Sequence, residues 1–354
     1  MALNKIESLA FRFRLWRIRW GSWEYWPFWA AATPLILIYG WFALRNRRLL
    51  FASAVNPSIP LGGAFGESKS DILRLLPPHV LPATVFVPRH SSPEQLAAMM
   101  AEAGLSFPLI AKPDVGERGF LVKKILNEAH LYEHRAQHPV DFILQEFLTE
   151  PVEMSVLFYR VPGEIADFGI TSVCRKEFLT VRGDGRQSVR SLMRRHDRAA
   201  LQLERFEAEK PDMLNEVPAE GEQRLLENIG NHCKGTKFCN ANHLIDDALT
   251  AAFQPLCNQL EGVFYGRFDL KCADEDALRR GEVKVMELNG ILSDPAHVFD
   301  PAHGIWRAYR DYYRHWRIIS RISRANRRLG IRDASLKEAL DLWKAYQAAK
   351  QSEG

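Results

Sequence analysis

The sequence predicts an α+β fold with a helical segment at each end. Between about residues 67 and 302, short apolar runs alternate with helical patterns, as in domains that combine sheets with helices. Residues 25–44 are uncharged and apolar, and arginines between residues 307 and 328 recur at spacings of three and four. Both features indicate helices.

Composition sets the class of protein. The chain has 354 residues, of which 47% are hydrophobic and 25% charged, so it is an ordinary globular protein with about two domains. These values exclude a disordered, collagen-like or polytopic membrane protein. The net charge of only +4 disfavours a general nucleic-acid binder. Five cysteines without a paired framework suit a reducing compartment.

The N-terminal region predicts membrane association. Residues 25–44 (YWPFWAAATPLILIYGWFAL) are long enough for a helix across one bilayer core, and tryptophans lie toward its ends. A buried helix at the base of the domain is the alternative. The preceding FRFRLWRIRW (11–20) suits a helix lying in an anionic headgroup layer. Because arginines flank the apolar run on both sides, a spanning helix and a re-entrant or surface-lying segment both stay open.

The C-terminal region predicts a long basic helix. Seven arginines share one helical stripe: Arg307, Arg310, Arg314, Arg317, Arg321, Arg324 and Arg328. Aromatic and aliphatic side chains lie beside this arginine stripe. Two interpretations stay open, a solvated face and a surface for anionic lipid.

The first half of the central region contains a helix, a strand and a glycine-bearing turn. Residues 92–104 have the end signals of a helix, and 107–113 (FPLIAKP) predict a buried strand that carries Lys112. Residues 114–125 then predict a turn and a second strand. Backbone N–H groups of such a turn, beside a strand lysine, suit a polyphosphate, although an ordinary turn has the same pattern.

The second half concentrates oxygen ligands. Residues 141–160 predict two strands, and 265–272 and 281–290 predict a hairpin joined by a polar turn. Arg267 and Asp269 share one face of the first hairpin strand, and Glu287 and Asn289 share one face of the second. Such oxygens suit a hard cation, most commonly Mg²⁺ with phosphates. The alternative is an Arg–Asp pair and a capped turn.

Taken together, these residues resemble the ATP-grasp superfamily, especially D-alanine–D-alanine ligases and related carboxylate–amine ligases. The resemblance runs from about Glu67 to about Pro301. It implies an ATP-grasp fold, in which two α/β subdomains clamp ATP. The predicted organisation is a basic segment with a membrane helix (1–50), a linker (51–66), the ATP-grasp domain (67–302) and a basic helical extension (303–354).

The resemblance also implies site residues. Those implied for ATP binding are Lys69, Lys112, Gly116, Gly119, Gln145, Glu146, Phe147, Leu148, Glu153 and, by a looser match, Lys176. Among these, residues 145–148 match the adenine hinge and Glu153 the acid that holds the ribose. The implied magnesium ligands are Asp269, Glu287 and Asn289. Arg267 and Lys112 are the implied catalytic residues, with Arg267 stabilising the transferred phosphoryl group.

The implied activity is an ATP- and Mg²⁺-dependent ligase that joins a carboxylate to an amine through an acyl phosphate. Two Mg²⁺ ions are expected, and Mn²⁺ is expected to substitute. An ATP-grasp kinase and a non-catalytic nucleotide-binding scaffold are the alternatives. We expect the family's N-terminal substrate domain to be missing or replaced, which suggests a lipid-linked or amphiphilic substrate. We therefore expect membrane contact through both termini, a catalytic domain on the cytoplasmic side and no nucleic-acid partner.

Three further segments have open roles. Residues 56–67 are interpreted as a connector that could line the acceptor site. Residues 232–243 contain two histidines and two cysteines, but their spacing disfavours zinc; Lys234 or Lys237 contacting phosphate or substrate is the better interpretation. The segment that follows the metal ligands contains four candidates for contacts with the acceptor, namely Ser293, Asp294, His297 and Asp300. The alternative interpretation of this segment is a tight Asp-Pro turn.

Overall fold

The structure is a computed structural model that describes residues 2–116, 121–163 and 167–352. It is a mixed α/β protein. Its helices are α1 (Ala2–Gly21), α2 (Phe28–Asn46), α3 (Lys69–Leu73), α4 (Pro93–Glu102), α5 (Glu128–Gln137), α6 (Val189–Arg195), α7 (Asp197–Ala200), α8 (Leu203–Glu209), α9 (Asp247–Asn258), α10 (Glu275–Arg280), α11 (Ile305–Arg328) and α12 (Leu336–Ser352). Its strands are β1 (Thr84–Val87), β2 (Leu109–Pro113), β3 (Lys123–Ile125), β4 (Phe142–Glu146), β5 (Val152–Arg160), β6 (Phe168–Glu177), β7 (Thr180–Arg182), β8 (Gln223–Leu225), β9 (Lys237–Asn240), β10 (Tyr265–Cys272) and β11 (Lys284–Asn289).

The chain forms two compact units, each made of separate stretches of sequence. Unit 1 comprises Met1–Leu37, Lys176–Asn240 and His297–Tyr309. Unit 2 comprises Ile38–Arg175, Ala241–Ala296 and Arg310–Gly354. These units cut across the boundaries drawn from sequence, because the chain leaves and re-enters each unit.

Unit 1 contains a small helical core, and the basic segment 11–20 lies on it as part of α1. Phe11 packs against the core of α6, α7 and α8, which includes Met193 and Phe206. Arg14 donates hydrogen bonds to the carbonyl oxygens of Arg194 (2.6 Å) and Arg195 (2.7 Å) at the end of α6. The helix predicted for this segment is confirmed, and one of its faces is held by protein.

Unit 2 is built on two sheets. The first is antiparallel, with the order β1-β4-β2-β3, and it packs on α4 and α5 around Leu96, Leu109 and Leu131. The second has the order β11-β10-β5-β6 within unit 2, and its core includes Phe158 and Phe268. The helix predicted at 92–104 is α4, and the strand predicted at 107–113 is β2. Both predictions are confirmed.

The predicted hairpin is correct in its pairing and wrong in its connection. Strands β10 and β11 are antiparallel neighbours, but α10 rather than a polar turn joins them. Asp274 caps this helix by accepting a hydrogen bond from the N–H of Ala277 (2.7 Å). Gly281, with a left-handed φ of 73°, ends it.

Helix α11 confirms the predicted C-terminal helix, and all seven arginines of the arginine stripe are exposed. Its opposite face is buried in unit 2. There Ser323 donates to the carbonyl oxygen of Phe51 (2.6 Å) and Asn326 to that of Ala54 (2.8 Å). The predicted linker 51–66 is therefore largely packed, and its first residues belong to the core of unit 2 together with the end of α2.

The apolar run at 25–44 forms most of α2, so the predicted helix is found with shifted ends. Pro34 lies within it, and four alanines and Gly40 lower its mean hydropathy. Among the residues that the structure describes, no helix is both long and apolar enough to cross a membrane. The predicted transmembrane helix is therefore not found there.

Candidate active site

Lys112 lies at the centre of the site in unit 2. Its ammonium on β2 donates to the side-chain oxygen of Gln145 on β4 (3.0 Å) and to the carbonyl oxygen of Met286 on β11 (3.0 Å). One side chain thus links the two sheets. Burial lowers the pKa of Lys112 to about 8; Glu287 opposes this shift and Lys69 adds to it.

Lys69, the first residue of α3, lies beside the predicted phosphate turn. Its ammonium donates to the carbonyl oxygen of Gly116 (2.6 Å), and its N–H donates to the carbonyl oxygen of Asp114 (2.8 Å). The Asp114 carboxylate also accepts from the N–H of Ser70 (2.8 Å). Gly116 has a φ of 147°, which favours glycine. Lys69 and Gly116, both implied for ATP binding, are thus in contact, and their binding of phosphate stays a prediction. Gly119 lies outside the described residues.

The predicted adenine hinge, residues 145–148, ends β4. The Gln145 side chain is buried between Lys112 and Thr84, and its amide donates to the Thr84 hydroxyl (3.0 Å). Glu146 is exposed, and its carboxylate accepts from the N–H of Ala83 (3.2 Å). The Gln145 side chain therefore supports Lys112, a role that the sequence does not reveal. Adenine binding by these residues stays a prediction.

Phe147 and Leu148 continue the chain past the hinge. The ammonium of Lys124 lies 3.5 Å from the centre of the Phe147 ring. Leu148 is buried, and its carbonyl oxygen accepts from the ammonium of Lys271 (3.3 Å). Lys271 also pairs in register with Glu153, so the predicted ribose acid lies on the strand that follows the hinge. Glu153 is buried, and its charge acts on Lys112.

The predicted metal ligands meet across β10 and β11. Asp269 is in register with Glu287, and Arg267 is in register with Asn289. Asp269 accepts hydrogen bonds from the hydroxyl of Ser155 (2.6 Å) and from the Arg267 guanidinium (3.1 and 3.2 Å). The Asn289 amide lies 3.5 Å from the same carboxylate. Thus the Arg–Asp pair and the cluster of oxygen ligands both exist.

This donor set fits a magnesium ion. Two carboxylates and one amide oxygen are the hard ligands that Mg²⁺ takes. Within the described ranges, no side chain or backbone group forms a hydrogen bond or ion pair with the carboxylate of Glu287, which is half-buried. A half-buried carboxylate in that position is well explained by a bound cation.

Arg267 forms an ion pair with one of these ligands, Asp269. Burial by itself lowers the pKa of Arg267, but the charges and hydrogen bonds of Asp269 outweigh burial and raise it. Arg267 also donates to the backbone carbonyl oxygen of Asp294 (3.1 Å). It therefore stays a fixed positive charge, held at the end of the strand that carries Asp269.

The hydrogen-bond partners of Asp294 and Tyr265 near this strand end have no signal in the sequence. Tyr312 on α11 donates to the Asp294 carboxylate (2.8 Å), and the Tyr265 hydroxyl hydrogen-bonds to His315 (3.0 Å). The N–H of Ile291 donates to the carbonyl oxygen of Gly62 (3.1 Å), so the predicted connector reaches the end of β11. Only long-range contact information could have revealed these neighbours.

Other candidates lie in unit 1. Lys176 is buried there, and its ammonium lies 5.8 Å from the centre of the Phe238 ring. Its binding of phosphate stays a prediction. Asp300 accepts from the N–H of Asn240 (2.7 Å), and His297 contacts the His303 ring. Their predicted acceptor contacts likewise stay predictions, as does that of Ser293 in unit 2.

The histidine and cysteine segment is also in unit 1. His232 hydrogen-bonds to the Glu24 carboxylate (2.8 Å), and the ammonium of Lys237 forms an ion pair with Glu177 (2.9 Å). Cys233 is exposed, and Cys239 is half-buried. Any phosphate role for Lys234 or Lys237 stays a prediction.

Comparisons with known proteins find similarity only at the level of structure. The sequence matches no protein-family model and no curated protein. The D-alanine–D-alanine ligase from Bacillus anthracis is 12% identical with a TM-score of 0.38, covering 75% of this chain and 71% of the ligase. The VanG D-Ala:D-Ser ligase from Enterococcus faecalis is 14% identical with a TM-score of 0.37, covering 69% of this chain and 61% of the ligase. A bifunctional glutathione synthetase from Pasteurella multocida is 15% identical with a TM-score of 0.37, covering 70% of this chain and 35% of the synthetase.

Proposed function

We propose that the protein is an ATP-dependent ligase that joins a carboxylate to an amine, with Mg²⁺ as cofactor. One observation carries this proposal most directly. The Lys112 ammonium on β2 binds the carbonyl oxygen of Met286, the residue before Glu287 on β11. A cation suited to phosphate oxygens and a carboxylate suited to a metal are thereby held side by side.

The proposed reaction has two steps. A carboxylate oxygen of the substrate attacks the γ-phosphorus of ATP, forming an acyl phosphate and releasing ADP. The amine then attacks the acyl carbon, phosphate leaves, and the amine loses a proton to give an amide. Phosphoryl transfer of this kind depends on positioning and charge neutralisation. A site made of lysines, an arginine and carboxylates suits those needs.

Each residue has a distinct task in this proposal. Lys69 and Lys112 bind phosphate oxygens of ATP, and the backbone around Gly116 approaches them closely. Asp269, Glu287 and Asn289 hold Mg²⁺. When bound, the ion supplies positive charge to the phosphate oxygens. Because Arg267 remains charged, it stabilises the negative charge on the γ-phosphoryl group during transfer.

The nucleoside is assigned to the remaining implied residues. We place adenine against the backbone of residues 145–148 and the ribose hydroxyls at Glu153. The buried position of Glu153 next to Lys112 supports this order along the nucleotide, from base to phosphate.

Membrane contact is part of the same proposal, and the exposed face of α2 supports it. Five large apolar side chains on this face are between 53% and 77% exposed: Trp29, Ile36, Leu37, Trp41 and Leu44. Apolar patches of this kind on soluble surfaces mark interaction sites. Because Arg45, Arg47 and Arg48 follow at the end of the helix and are exposed, charge complementarity favours an anionic bilayer surface as the occupant.

The membrane face of α2 can be tested by vesicle sedimentation. We expect Leu37→Ser and Leu44→Ser each to lower partitioning onto vesicles of phosphatidylcholine and phosphatidylglycerol about tenfold, the cost of one exposed leucine. Leu225→Ser is the matched control, because Leu225 is also exposed but lies on β8. Equal partitioning of all three variants and the wild type would contradict membrane contact through α2.

Contact of α2 with a membrane suggests that the substrate is lipid-linked or amphiphilic. It also suggests that the catalytic domain lies on the cytoplasmic side, where ATP is supplied. The test is Mg²⁺-dependent ADP release, with a lipid extract and an aqueous metabolite extract supplied separately. Glu287→Gln should abolish release, whereas Glu282→Gln should not, because Glu282 is exposed and paired with Arg280. Release with the aqueous extract alone would contradict the lipid-linked substrate.

A further inference from the structure

A cavity lies in unit 1, and every residue that lines it belongs to that unit. Its volume is about 590 Å³, within the usual range for small-ligand sites. Four cationic side chains line it, namely Arg17, Arg195, Arg198 and Lys237, against two carboxylates, Glu24 and Asp197. The lining therefore has an excess of two positive charges.

Four of the six charged side chains that line this cavity already form ion pairs. Arg198 forms two hydrogen bonds to the buried Glu24 carboxylate (2.8 and 2.9 Å), so Glu24 also fixes its position. Lys237 is paired with Glu177, and Asp197 with Arg14. Because these side chains are paired, the net positive charge of the cavity comes from the remaining residues that line it.

The excess charge belongs to Arg17 and Arg195. Both guanidinium groups are exposed, and within the described part of the chain neither forms an ion pair or a side-chain hydrogen bond. Arg195 acts at longer range on the half-buried Asp184. The carbonyl groups at the end of α6, which would repel an anion, are occupied by Arg14. An anion entering the cavity would thus find two guanidinium groups to donate to it.

Helix α1 connects this cavity with an apolar surface. Leu9, Phe13, Trp16 and Trp20 form one stripe along α1 and are between 40% and 64% exposed. By helical periodicity Arg17 borders this stripe on the side of the cavity, and Arg12 and Arg19 border it on the opposite side. A lipid whose chains lie under the stripe would bring its headgroup to the mouth of the cavity.

We propose that the cavity lined by Arg17 and Arg195 binds the phosphate group of an anionic phospholipid, with the apolar stripe of α1 lying at the bilayer surface. Guanidinium groups match phosphate oxygens in geometry and charge. This inference rests on the membrane association proposed above and adds a specific headgroup site to it. A free phosphate ester has the same chemistry, and the test separates the two sources.

The test compares two double variants that remove equal charge. Arg17→Gln/Arg195→Gln alters the cavity, and Arg12→Gln/Arg19→Gln alters the opposite flank of α1. Partitioning onto vesicles of phosphatidylcholine and phosphatidylglycerol is measured by sedimentation. We expect the cavity pair to reduce the partition coefficient about tenfold more than the control pair, because direct guanidinium–phosphate hydrogen bonds are lost as well as charge. Helix content, measured by circular dichroism, should be equal in both.

Three results would count against the inference in different ways. Equal losses in the two double variants would refute the cavity site and leave membrane association intact. If the wild-type protein does not bind to anionic vesicles, the proposed membrane association itself is refuted. Binding of free glycerophosphate, lost in the cavity pair but without vesicle binding, would show that the ligand is soluble and overturn the lipid source.

Discussion

Raising the pH above about 8 is expected to weaken ATP binding, because Lys112 loses its proton in that range. The pKa of Lys112 is lowered from 10.5 to about 8, chiefly by burial between the two sheets. Below pH 8 the ammonium is charged and donates to phosphate; above it the neutral amine does not attract the anion. The Kd for ATP should therefore rise up to about tenfold per pH unit. The rise should level off once ~1.5–3 kcal/mol, the worth of a charge-assisted hydrogen bond, is lost.

Calorimetric titration of ATP at fixed free Mg²⁺ measures this effect. The phosphate groups of ATP ionise well below this pH range, so their titration does not contribute to the change of Kd with pH. Lys112→Arg keeps a positive charge at every pH, and its Kd should be flat across the same range. A wild-type Kd that does not change between about pH 7 and pH 10 would refute the position of Lys112 at the phosphates or its lowered pKa.

Three further predictions concern neighbouring parts of unit 2. Glu287→Gln should lower the apparent affinity for Mg²⁺ at least about tenfold when ATP binding is titrated calorimetrically at increasing Mg²⁺, since one carboxylate ligand is lost; Glu282→Gln should leave it unchanged. Gly290→Ala should lower the free energy of unfolding by about 1–3 kcal/mol in urea, because its new methyl would lie 2.5 Å from a linker carbonyl oxygen. Gly304→Ala, which has open space, should have no comparable cost. Tyr312→Phe should cost about 1–2 kcal/mol by the same measurement, because the half-buried carboxylate of Asp294 loses one hydrogen bond; an unchanged unfolding curve would contradict that contact.

The strand pairing and much of the site follow from local patterns. Period-two alternation places Asp269 and Arg267 on one face of β10, and two β strands that are close in sequence often pair. Their register with Glu287 and Asn289 then follows from the same pattern. The resemblance supplied Lys69, whose contact with Gly116 spans a long stretch of sequence and has no local signal.

Other features depend on contacts that no local pattern encodes. The helix between β10 and β11 was missed because six residues, Glu275–Arg280, are too few for a clear helical period. The linker was interpreted by its prolines and glycines, yet Asn56 within it is fully buried and hydrogen-bonds to the backbone of Tyr265 (2.8 and 3.0 Å). The apolar run of α2 was predicted from length and absence of charge. Those two properties do not separate a spanning helix from one that buries only Phe42 and its neighbours.

Trapping with hydroxylamine tests the central claim, an acyl phosphate formed from ATP, most directly. Purified protein would be incubated with ATP, Mg²⁺, hydroxylamine and each extract, and the products analysed by mass spectrometry. The account predicts a hydroxamate, formed when hydroxylamine displaces phosphate from the acyl group, in equal amount to ADP and absent with Glu287→Gln. A phosphorylated product that resists hydroxylamine would contradict the account and identify a kinase, and ATP binding without any ADP would identify a scaffold.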